Sequence, residues 1–371
     1  MNEQQESRPR VRVAVVFGGR NSEHAVSLMG AGSVLAAIDR SKYDVVPIGI
    51  APDGRWVLAQ DDQRFEIEGE ELPRVDDSGR ALALPSGDGS LVAFDAGTIP
   101  ASLGRVDVVF PMLHGPFGED GTIQGLLEMA GVRYVGSGVL ASAVGMDKAY
   151  MKTLLAAAGL PVGAHVVVRD RDWRLDRERV LKDIEVLGLP VFVKPSRAGS
   201  SQGISRVDDF QDLERAVELA REHDPKILVE AAIQGREIEC AVLQSPGDDP
   251  PAASLPGEVL VAESHEFFDF SAKYIGSDMR LQVPADIPEA VSEELRAMAV
   301  RAFEALGCEG LSRVDFFYTA SGGLIVNEIN TMPGFTAMSV APQLWAASGV
   351  PYADLVDRLI QLALHRPVGL R

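Results

Sequence analysis

Short apolar runs alternate with amphipathic stretches over the first third of the chain. Strands are predicted at 11–17, 44–50 and 106–113, and helices at 23–39 and 122–130. Strands that alternate with helices in this way favour an open α/β sheet. The intervening residues 51–104 are polar and rich in Asp, Gly and Pro, which predicts an insertion or a hairpin.

The rest of the chain carries strands and helices in a less regular order. Strands are predicted at 190–194, 226–230 and 236–243, and helices at 147–159, 208–223, 288–306, 341–348 and 352–365. Two apolar runs, 314–318 and 323–329, flank a four-residue turn and predict a β-hairpin. Gly136-Ser137-Gly138 indicates a domain boundary, and 371 residues are long for a single core, so we expect two or three domains.

Composition narrows the class of protein. The chain has 46% hydrophobic residues but no apolar run approaching a membrane span, which needs ~18–20 residues, and residues 1–10 contain no signal-peptide core. Cys240 and Cys308 lie inside apolar runs and are predicted to be buried thiols, which fits the reducing cytoplasm. A net charge of −19 disfavours nucleic acid and anionic membranes as partners.

The hairpin carries the chemistry that stands out first. Arg313 and Asp315 share one face of its first strand, and Glu328 and Asn330 share one face of the second. Pairing the strands brings Asp315 near Glu328 and Asn330, an all-oxygen set that suits magnesium together with phosphate. Gly334 follows and allows a ligand to approach the backbone closely. An ordinary hairpin with solvated acids at its strand ends remains the alternative.

Two further strand ends offer polar groups. Glu23 and His24 follow the Gly18-Gly19 turn after the first strand, where α/β sheets commonly bind small molecules. His114 follows strand 106–113 beside several glycines. A turn without a ligand and a loop histidine held by the protein are the competing interpretations.

A glycine- and serine-rich loop, 195–203, follows the strand that ends at Lys194. It lacks the spacing of a P-loop, but consecutive small residues beside a lysine can surround a phosphate with N–H groups. Only seven of the 35 basic residues are lysine, and Lys194 and Lys273 are kept inside glycine- or aromatic-rich segments, where a compact charge suits phosphate. The aromatic segment 264–277 is predicted to be a lid over the site.

Together these segments resemble the D-alanine–D-alanine ligases of the ATP-grasp superfamily. The resemblance spans nearly the whole chain and is carried by FGGRNSEHAVS, LHGPFGEDGTIQG, GSGVLASAVGMDK, VKPSRAGSSQGIS, FFDFSAKY, SRVDFF and NEINTMPGFTAMS. It implies an α/β protein with α+β elements in three domains, 1–136, 137–232 and 233–371, with ATP held between the antiparallel sheets of the second and third.

The resemblance also implies a role for each matching residue. The phosphates would meet Lys148, Lys194, Ser200, Ser201 and Lys273; adenine would meet Glu230 and the backbone of Ala231, Ala232 and Ile233; ribose would meet Glu237. The metal, Mg²⁺ or Mn²⁺, would be held by Asp315, Glu328 and Asn330. Glu23, with His114 nearby, would take the first D-alanine, Arg313 and Gly334 the reacting oxygen, and Ser339 the second D-alanine, while Tyr274 would couple the lid through Ser200 to Glu23.

The chain departs from the family pattern in places that remove no catalytic group. Residues 230–233 read EAAI, without the Lys–Trp pair of some relatives, and Arg197-Ala198 stand where an acidic residue is common. Phe268 and Phe270 replace common tyrosines of the lid.

The expected activity is ATP-dependent synthesis of D-alanyl-D-alanine for peptidoglycan by a cytoplasmic homodimer. Its near alternatives are another ATP-grasp carboxylate–amine ligase and a D-alanine–D-lactate ligase. A non-catalytic nucleotide-binding module and a hydrolase using His114 or Ser200 are alternatives from other classes, and the hydrolase is weakened because no Ser–His–acid set is suggested by context.

Overall fold

A computed structural model describes residues 10–60, 62–69, 71–83, 90–94, 101–199, 203–261 and 279–369. The described residues form two compact units. Unit 1 takes its residues from Met1–Leu113, Gln124–Val135 and Tyr352–Arg371, and unit 2 from His114–Ile123 and Gly136–Pro351. The predicted boundaries of three domains stay a prediction. Ser200, Ser201, Lys273, Tyr274 and the predicted lid 264–277 lie outside the described residues.

Unit 1 is built on a mixed sheet with a parallel centre. Its described strands are β1 (Val11–Gly18), β2 (Tyr43–Ile50), β3 (Trp56–Leu58), β4 (Ala81–Ala83), β5 (Ser90–Phe94), β6 (Ala101–Arg105), β7 (Val108–Met112) and β8 (Arg133–Tyr134). They run in the order β6-β5-β4-β3-β2-β1-β7-β8, and β2, β1, β7 and β8 are parallel. Helices α1 (His24–Ala37) and α2 (Thr122–Met129) alternate with the parallel strands, so the predicted open α/β unit is confirmed.

The polar stretch 51–104 is more than one hairpin. Its four described strands, β3 to β6, pair antiparallel in sequence order and extend the parallel sheet at the β2 edge.

The last helix, α10 (Tyr352–His365), belongs to unit 1, although the predicted third domain included it. Polar side chains of α10 bind Tyr43 of unit 1, which explains part of its assignment to this unit. The Tyr43 hydroxyl donates to Asp357 at 2.7 Å and accepts from Gln361 at 2.7 Å. Burial, together with Asp357, raises the pKa of Tyr43 to about 12.

Unit 2 contains two antiparallel sheets, as expected for an ATP-grasp fold. The smaller sheet has the order β11-β10-β12-β9, from β9 (His165–Arg169), β10 (Val191–Pro195), β11 (Ser205–Val207) and β12 (Lys226–Ala231). Helices α5 (Asp170–Leu175), α6 (Arg177–Glu185) and α7 (Leu213–Arg221), the last preceded by a 3-10 turn at Phe210–Asp212, contribute to its core around the fully buried Trp173.

The larger sheet has the order β16-β15-β13-β17-β18. These strands are β13 (Gly235–Leu243), β15 (Gly257–Val261), β16 (Met279–Gln282), β17 (Leu311–Thr319) and β18 (Leu324–Asn330), with β14 (Ala252–Ala253) paired to β13. Its core is shared with α3 (Val139–Met146), α4 (Lys148–Ala157) and α8 (Glu289–Ala305), and α9 (Val340–Ala347) follows the hairpin. The predicted hairpin of β17 and β18 is confirmed.

The expectation of two buried thiols is also confirmed. Cys240 and Cys308 are free and buried, and burial raises the pKa of each thiol to about 12. Within the described part of the chain, no helix is both long enough and apolar enough to cross a bilayer.

Candidate active site

Strand alternation separates the core face of the smaller sheet from a polar face. Val191 and Val193 on β10 and Ile227 and Val229 on β12 pack into the helical core. The residues between them therefore point to the opposite face. There, Lys194 and Glu230 are diagonal neighbours, because Lys194 pairs with Leu228, two positions from Glu230.

Glu230 is the centre of a buried charge group, the Lys–Glu–Lys cluster, made of Lys152, Glu230 and Lys194. One carboxylate oxygen lies 2.7 Å from the Lys152 ammonium, and the other contacts the Lys194 ammonium. Burial acts to raise the pKa of Glu230, but Lys194 and Lys152 outweigh it and lower the pKa to about 2. Burial lowers the pKa of Lys152 despite Glu230. The cluster thus contains two ammonium groups and one carboxylate.

Helix α4 begins in a position that brings Lys148 beside this cluster. Asp147 caps the helix by accepting from the Tyr150 N–H at 3.4 Å, and it also accepts from the Ser196 hydroxyl at 2.9 Å. The Lys148 ammonium lies 3.3 Å from the Ala198 carbonyl and 3.3 Å from Glu328. Burial opposes its charge, but Glu328 and Glu230 raise the pKa of Lys148 above its ordinary value. Lys148 therefore links the glycine-rich loop to strand β18.

A β-bulge in β18 decides which face Glu328 occupies. Asp315 pairs with Glu328 and Phe316 with Val326, so Asn327 is the extra residue. Leu324, Val326 and Ile329 all lie in the core. Strict alternation would have placed Glu328 on the core face with Val326, and the bulge instead puts it beside Asp315.

The carboxylate cluster, defined as Glu239, Arg313, Asp315, Glu328 and Asn330, occupies this face of the larger sheet. Arg313 donates to both oxygens of Asp315 at 2.7 Å, and its Nε lies 2.8 Å from Glu239. The Asn330 amide donates to Asp315 at 3.0 Å. Burial opposes the charge of Arg313, but Asp315 and Glu239 raise the pKa of its guanidinium well above the ordinary value.

The carboxylate cluster fits a divalent cation. Asp315, Glu328 and Asn330 offer carboxylate and amide oxygens, the donors that Mg²⁺ and Mn²⁺ prefer. With Glu239 included, three carboxylates face one guanidinium, so the cluster carries negative charge in excess. The predicted proximity of Asp315, Glu328 and Asn330 is confirmed.

Lys152 and Glu239 have no role in the sequence analysis. Lys152 is four residues after Lys148, which places both on one side of a helix, and this spacing was a usable signal. Glu239 shares a face of β13 with Glu237, and it pairs with Asp315 on the neighbouring strand β17. Neither residue could be assigned before the partner strands were known.

The segment predicted to meet adenine already uses two of its N–H groups. Ala231 donates to the Ala164 carbonyl at 3.0 Å, and Ala232 donates to the Pro190 carbonyl at 3.0 Å. Adenine would therefore have to meet the carbonyl oxygens of this segment or Ile233. Glu237, predicted for ribose, is exposed on β13.

Arg197, a departure from the family pattern, has a structural role at the start of the glycine-rich loop. Its guanidinium donates to Asp224 at 3.0 and 2.6 Å, and its backbone N–H donates to the same carboxylate at 2.9 Å. The loop is anchored by this pair.

The loop after β18 brings Gly334 close to Ser339. A Cβ at Gly334 would lie 3.3 Å from the Ser339 hydroxyl oxygen, which makes the approach tight. That hydroxyl accepts from the Thr336 N–H at 3.0 Å. Ser339 is the N-cap residue of α9, so a ligand near it would meet a helix N-terminus.

In unit 1, His24 supports a turn with both of its ring nitrogens. Its Nε2 accepts from the Val75 N–H at 3.2 Å, so its Nδ1 carries the proton and donates to the Gly19 carbonyl at 2.8 Å. Burial lowers the pKa of His24 and favours this neutral ring. Glu23 is buried in unit 1, and its backbone carbonyl accepts from the Ser27 N–H of α1 at 3.0 Å.

His114 lies in unit 2 and is buried. Its Nδ1 is 3.6 Å from Glu119, and the same carboxylate oxygen accepts from the Gly115 N–H at 2.8 Å. Glu119 thus holds the loop that carries His114.

Within unit 2, the structure brings together seven of the predicted residues and leaves others in separate segments. The seven are Lys148, Lys194, Glu230, Arg313, Asp315, Glu328 and Asn330. The predicted roles of all the site residues stay predictions.

Comparisons with known proteins agree with this arrangement. The profile of the family described as D-ala D-ala ligase N-terminus matches residues 12–137, and that of D-ala D-ala ligase C-terminus matches residues 154–361. The D-alanine–D-alanine ligase of Arthrobacter sp. (strain FB24) is 58% identical over 365 residues, covering 97% of this chain and 96% of the relative. That of Streptomyces coelicolor is 54% identical over 371 residues, covering 97% and 95%.

Solved structures show the same likeness. The VanG D-Ala:D-Ser ligase from Enterococcus faecalis aligns with a TM-score of 0.81 and 36% identity, over 96% of this chain and all of that one (100%). The D-alanine-D-alanine ligase from Coxiella burnetii aligns with a TM-score of 0.78 and 36% identity, over 96% and 94%. The chain therefore belongs to the D-alanine–D-alanine ligase family.

Proposed function

We propose that the protein uses ATP to join two D-alanines into D-alanyl-D-alanine for peptidoglycan synthesis in the cytoplasm. The relatives with more than half of their residues identical are named for this reaction. Among this chain's own residues, Lys148 carries the proposal, since its ammonium is 3.3 Å from Glu328 and it lies beside the Lys–Glu–Lys cluster. A nucleotide phosphate placed there would meet cations on one side and metal ligands on the other.

The residue types suit the chemistry of amide formation from a carboxylate. A carboxylate does not react with amines, so ATP would first phosphorylate the first D-alanine and leave ADP. The amine of the second D-alanine would then attack the carbonyl carbon of the acyl phosphate, lose its proton and displace phosphate. Lys148, Lys194 and Arg313 would offset the repulsion between the carboxylate and the γ-phosphate.

Asp315, Glu328 and Asn330 would hold the divalent cation, Mg²⁺ or Mn²⁺. When bound, the cation would neutralise phosphate charge and orient the transferred group. Arg313 would remain anchored by Glu239, at 2.8 Å, when Asp315 turns to the metal.

The remaining assignments rest on the family resemblance. Glu23 would take the ammonium of the first D-alanine with His114 nearby, and the Gly334 N–H would meet the reacting oxygen. The position of Ser339 at the start of α9 supports binding of the second D-alanine's carboxylate. Ser200, Ser201, Lys273 and Tyr274 would close the site over the phosphates. The expected homodimer stays a prediction that light scattering tests.

A substrate screen with product chromatography tests the activity. With ATP and Mg²⁺, we expect release of ADP and phosphate that depends on D-alanine, and D-alanyl-D-alanine as the product. D-serine and D-lactate, offered in competition between pH 6 and 8, should yield little mixed product. Predominant ester or D-serine product would replace the substrate assignment, and no ADP release with any amino acid would favour a nucleotide-binding module.

A further inference from the structure

Lys152 is a fully buried lysine that joins both sheets of unit 2. Its side chain is 2% exposed, and its ammonium lies 2.7 Å from Glu230 on the smaller sheet. The same ammonium donates to the backbone carbonyl of Asn327 on the larger sheet at 2.9 Å. Burying an ammonium is costly unless its donors are used, so these two contacts determine where the side chain can lie.

Both contacts lead to groups at the site. Glu230 accepts from Lys152 with one oxygen and contacts Lys194 with the other, so the place of Lys152 influences the place of the Lys194 ammonium. Asn327 is the extra residue of the bulge that turns Glu328 toward Asp315.

Helix α4 satisfies the bulge at a second point. The N–H of Ile329, two residues after Asn327, lies 3.3 Å from the Met151 sulfur, and Met151 precedes Lys152 on the helix. Bulges disrupt the regular ladder, and their backbone groups need other partners when they are buried. Adjacent residues of α4 meet two such groups on either side of Glu328.

We propose that Lys152 is a positioning residue that directs two binding groups at once: Lys194 through Glu230, and Glu328 through the bulge at Asn327. This inference rests on the proposed function, because it treats Lys194 as a phosphate ligand and Glu328 as a metal ligand. Because Lys152 itself is 2% exposed, the proposal assigns it no contact with ATP or D-alanine.

The test compares Lys152→Met, which removes the ammonium and keeps the chain length, with Lys152→Arg, which keeps the charge. Lys182→Met is the control, since Lys182 is an exposed lysine on α6. Mn²⁺ binding in the presence of ADP is titrated by electron paramagnetic resonance, KM for ATP and for D-alanine is measured, and thermal unfolding is followed without ligands.

We expect Lys152→Met to weaken Mn²⁺ binding and raise KM for ATP by about tenfold each, as loss of an outer-shell partner commonly does. KM for D-alanine should change much less, and Lys152→Arg should lie between Met and the wild type because its planar fork cannot match both contacts. A purely structural lysine would lower the unfolding temperature and leave both affinities of the folded protein unchanged, which would overturn the proposal.

If Lys152→Met does not fold, the proposal is tested with Lys152→Arg alone. Affinities for Mn²⁺ and ATP equal to those of the wild type in Lys152→Arg would overturn the proposal. The ADP and Mn²⁺ measurements need no D-alanine. Their outcome is therefore separate from a failure of the wild type to make the dipeptide, which would count against the proposed function alone.

Discussion

The Lys–Glu–Lys cluster and the carboxylate cluster share one arrangement with opposite signs of charge: a single charged group lies between two groups of the other sign. In the first, one carboxylate, Glu230, lies between two ammonium groups. In the second, one guanidinium, Arg313, lies between Asp315 and Glu239. Each sits on the face of its sheet that points away from the helical core.

The difference teaches how a strongly acidic chain can bind an anionic nucleotide. A single opposite charge allows two like charges to remain buried side by side, because attraction in a poorly screened site exceeds their mutual repulsion. Under the proposed function, the charge left in excess would select the ligand: phosphate for the lysines and a divalent cation for the carboxylates. The overall charge of −19 does not decide either site.

Glu328→Gln should have the largest effect, because it removes a charge in excess from the carboxylate cluster. We expect turnover to fall by about 10²- to 10³-fold, with a higher Mg²⁺ requirement, since loss of one electrostatic group at a reacting centre has that size. Steady-state kinetics across Mg²⁺ concentrations measures this, and circular dichroism checks that the fold is kept. Near-normal turnover at limiting Mg²⁺ would show that Glu328 is no metal ligand.

A fall in pH should have the next largest effect, because it protonates Glu230 and weakens the Lys–Glu–Lys cluster. Burial would raise the pKa of Glu230, but Lys194 and Lys152 lower it from 4.5 to about 2. A carboxylate with a lowered folded pKa stabilises the fold above its unfolded pKa, and this stability is lost as pH falls from about 4.5 toward 2. The loss should amount to about 3 kcal/mol.

Urea unfolding of the wild type and Glu230→Gln between pH 6 and 2 isolates this contribution, since other carboxylates titrate in both proteins. The free-energy difference between the two should shrink as pH falls. A constant difference over that range would mean that Glu230 titrates alike in the folded and unfolded chain.

Glu239→Gln should have a smaller effect, because Arg313 keeps Asp315 as a partner. We expect kcat/KM to fall by about tenfold, as for other groups that orient a ligand-binding residue. Glu258→Gln is the matched control, since Glu258 pairs with Arg236 at 2.7 Å on the same sheet, outside the cluster. Equal kinetics in both variants would leave Glu239 a purely structural partner.

Lys226→Met should have the smallest effect. Lys226 contacts Asp147, the cap of α4, but lies outside both clusters. Asp147 would keep its bonds from Ser196 and Tyr150, so we expect a loss of about 1 kcal/mol in unfolding free energy with KM for ATP nearly unchanged. If Lys226→Met raised KM for ATP as much as Lys152→Met does, a lysine of the Lys–Glu–Lys cluster would not differ in effect from a lysine that contacts the cap of α4.

The sequence predicted β10 and β12 of the smaller sheet, β13, β17 and β18 of the larger sheet, and most members of the clusters, but not β9, β11, β14, β15 or β16. The hairpin predicted from 314–318 and 323–329 brought Asp315 near Glu328 and Asn330, because a hairpin is a local structure whose strands must pair, but the bulge that turns Glu328 to this face was not predicted. Lys152 on α4 was not predicted as a site residue, because its partners are 78 and 175 residues away along the chain.

What the sequence determined by itself is therefore local: the strands and helices with a clear apolar pattern, the residue types at their ends and the motifs that identify the family. The tertiary structure decided which charges share a buried site and which face Glu328 occupies. Strict alternation would have turned Glu328 into the core, and a single extra residue, Asn327, reverses that. A bulge of this kind is stable here because α4 meets its backbone groups, and such partners exist only once the chain has folded.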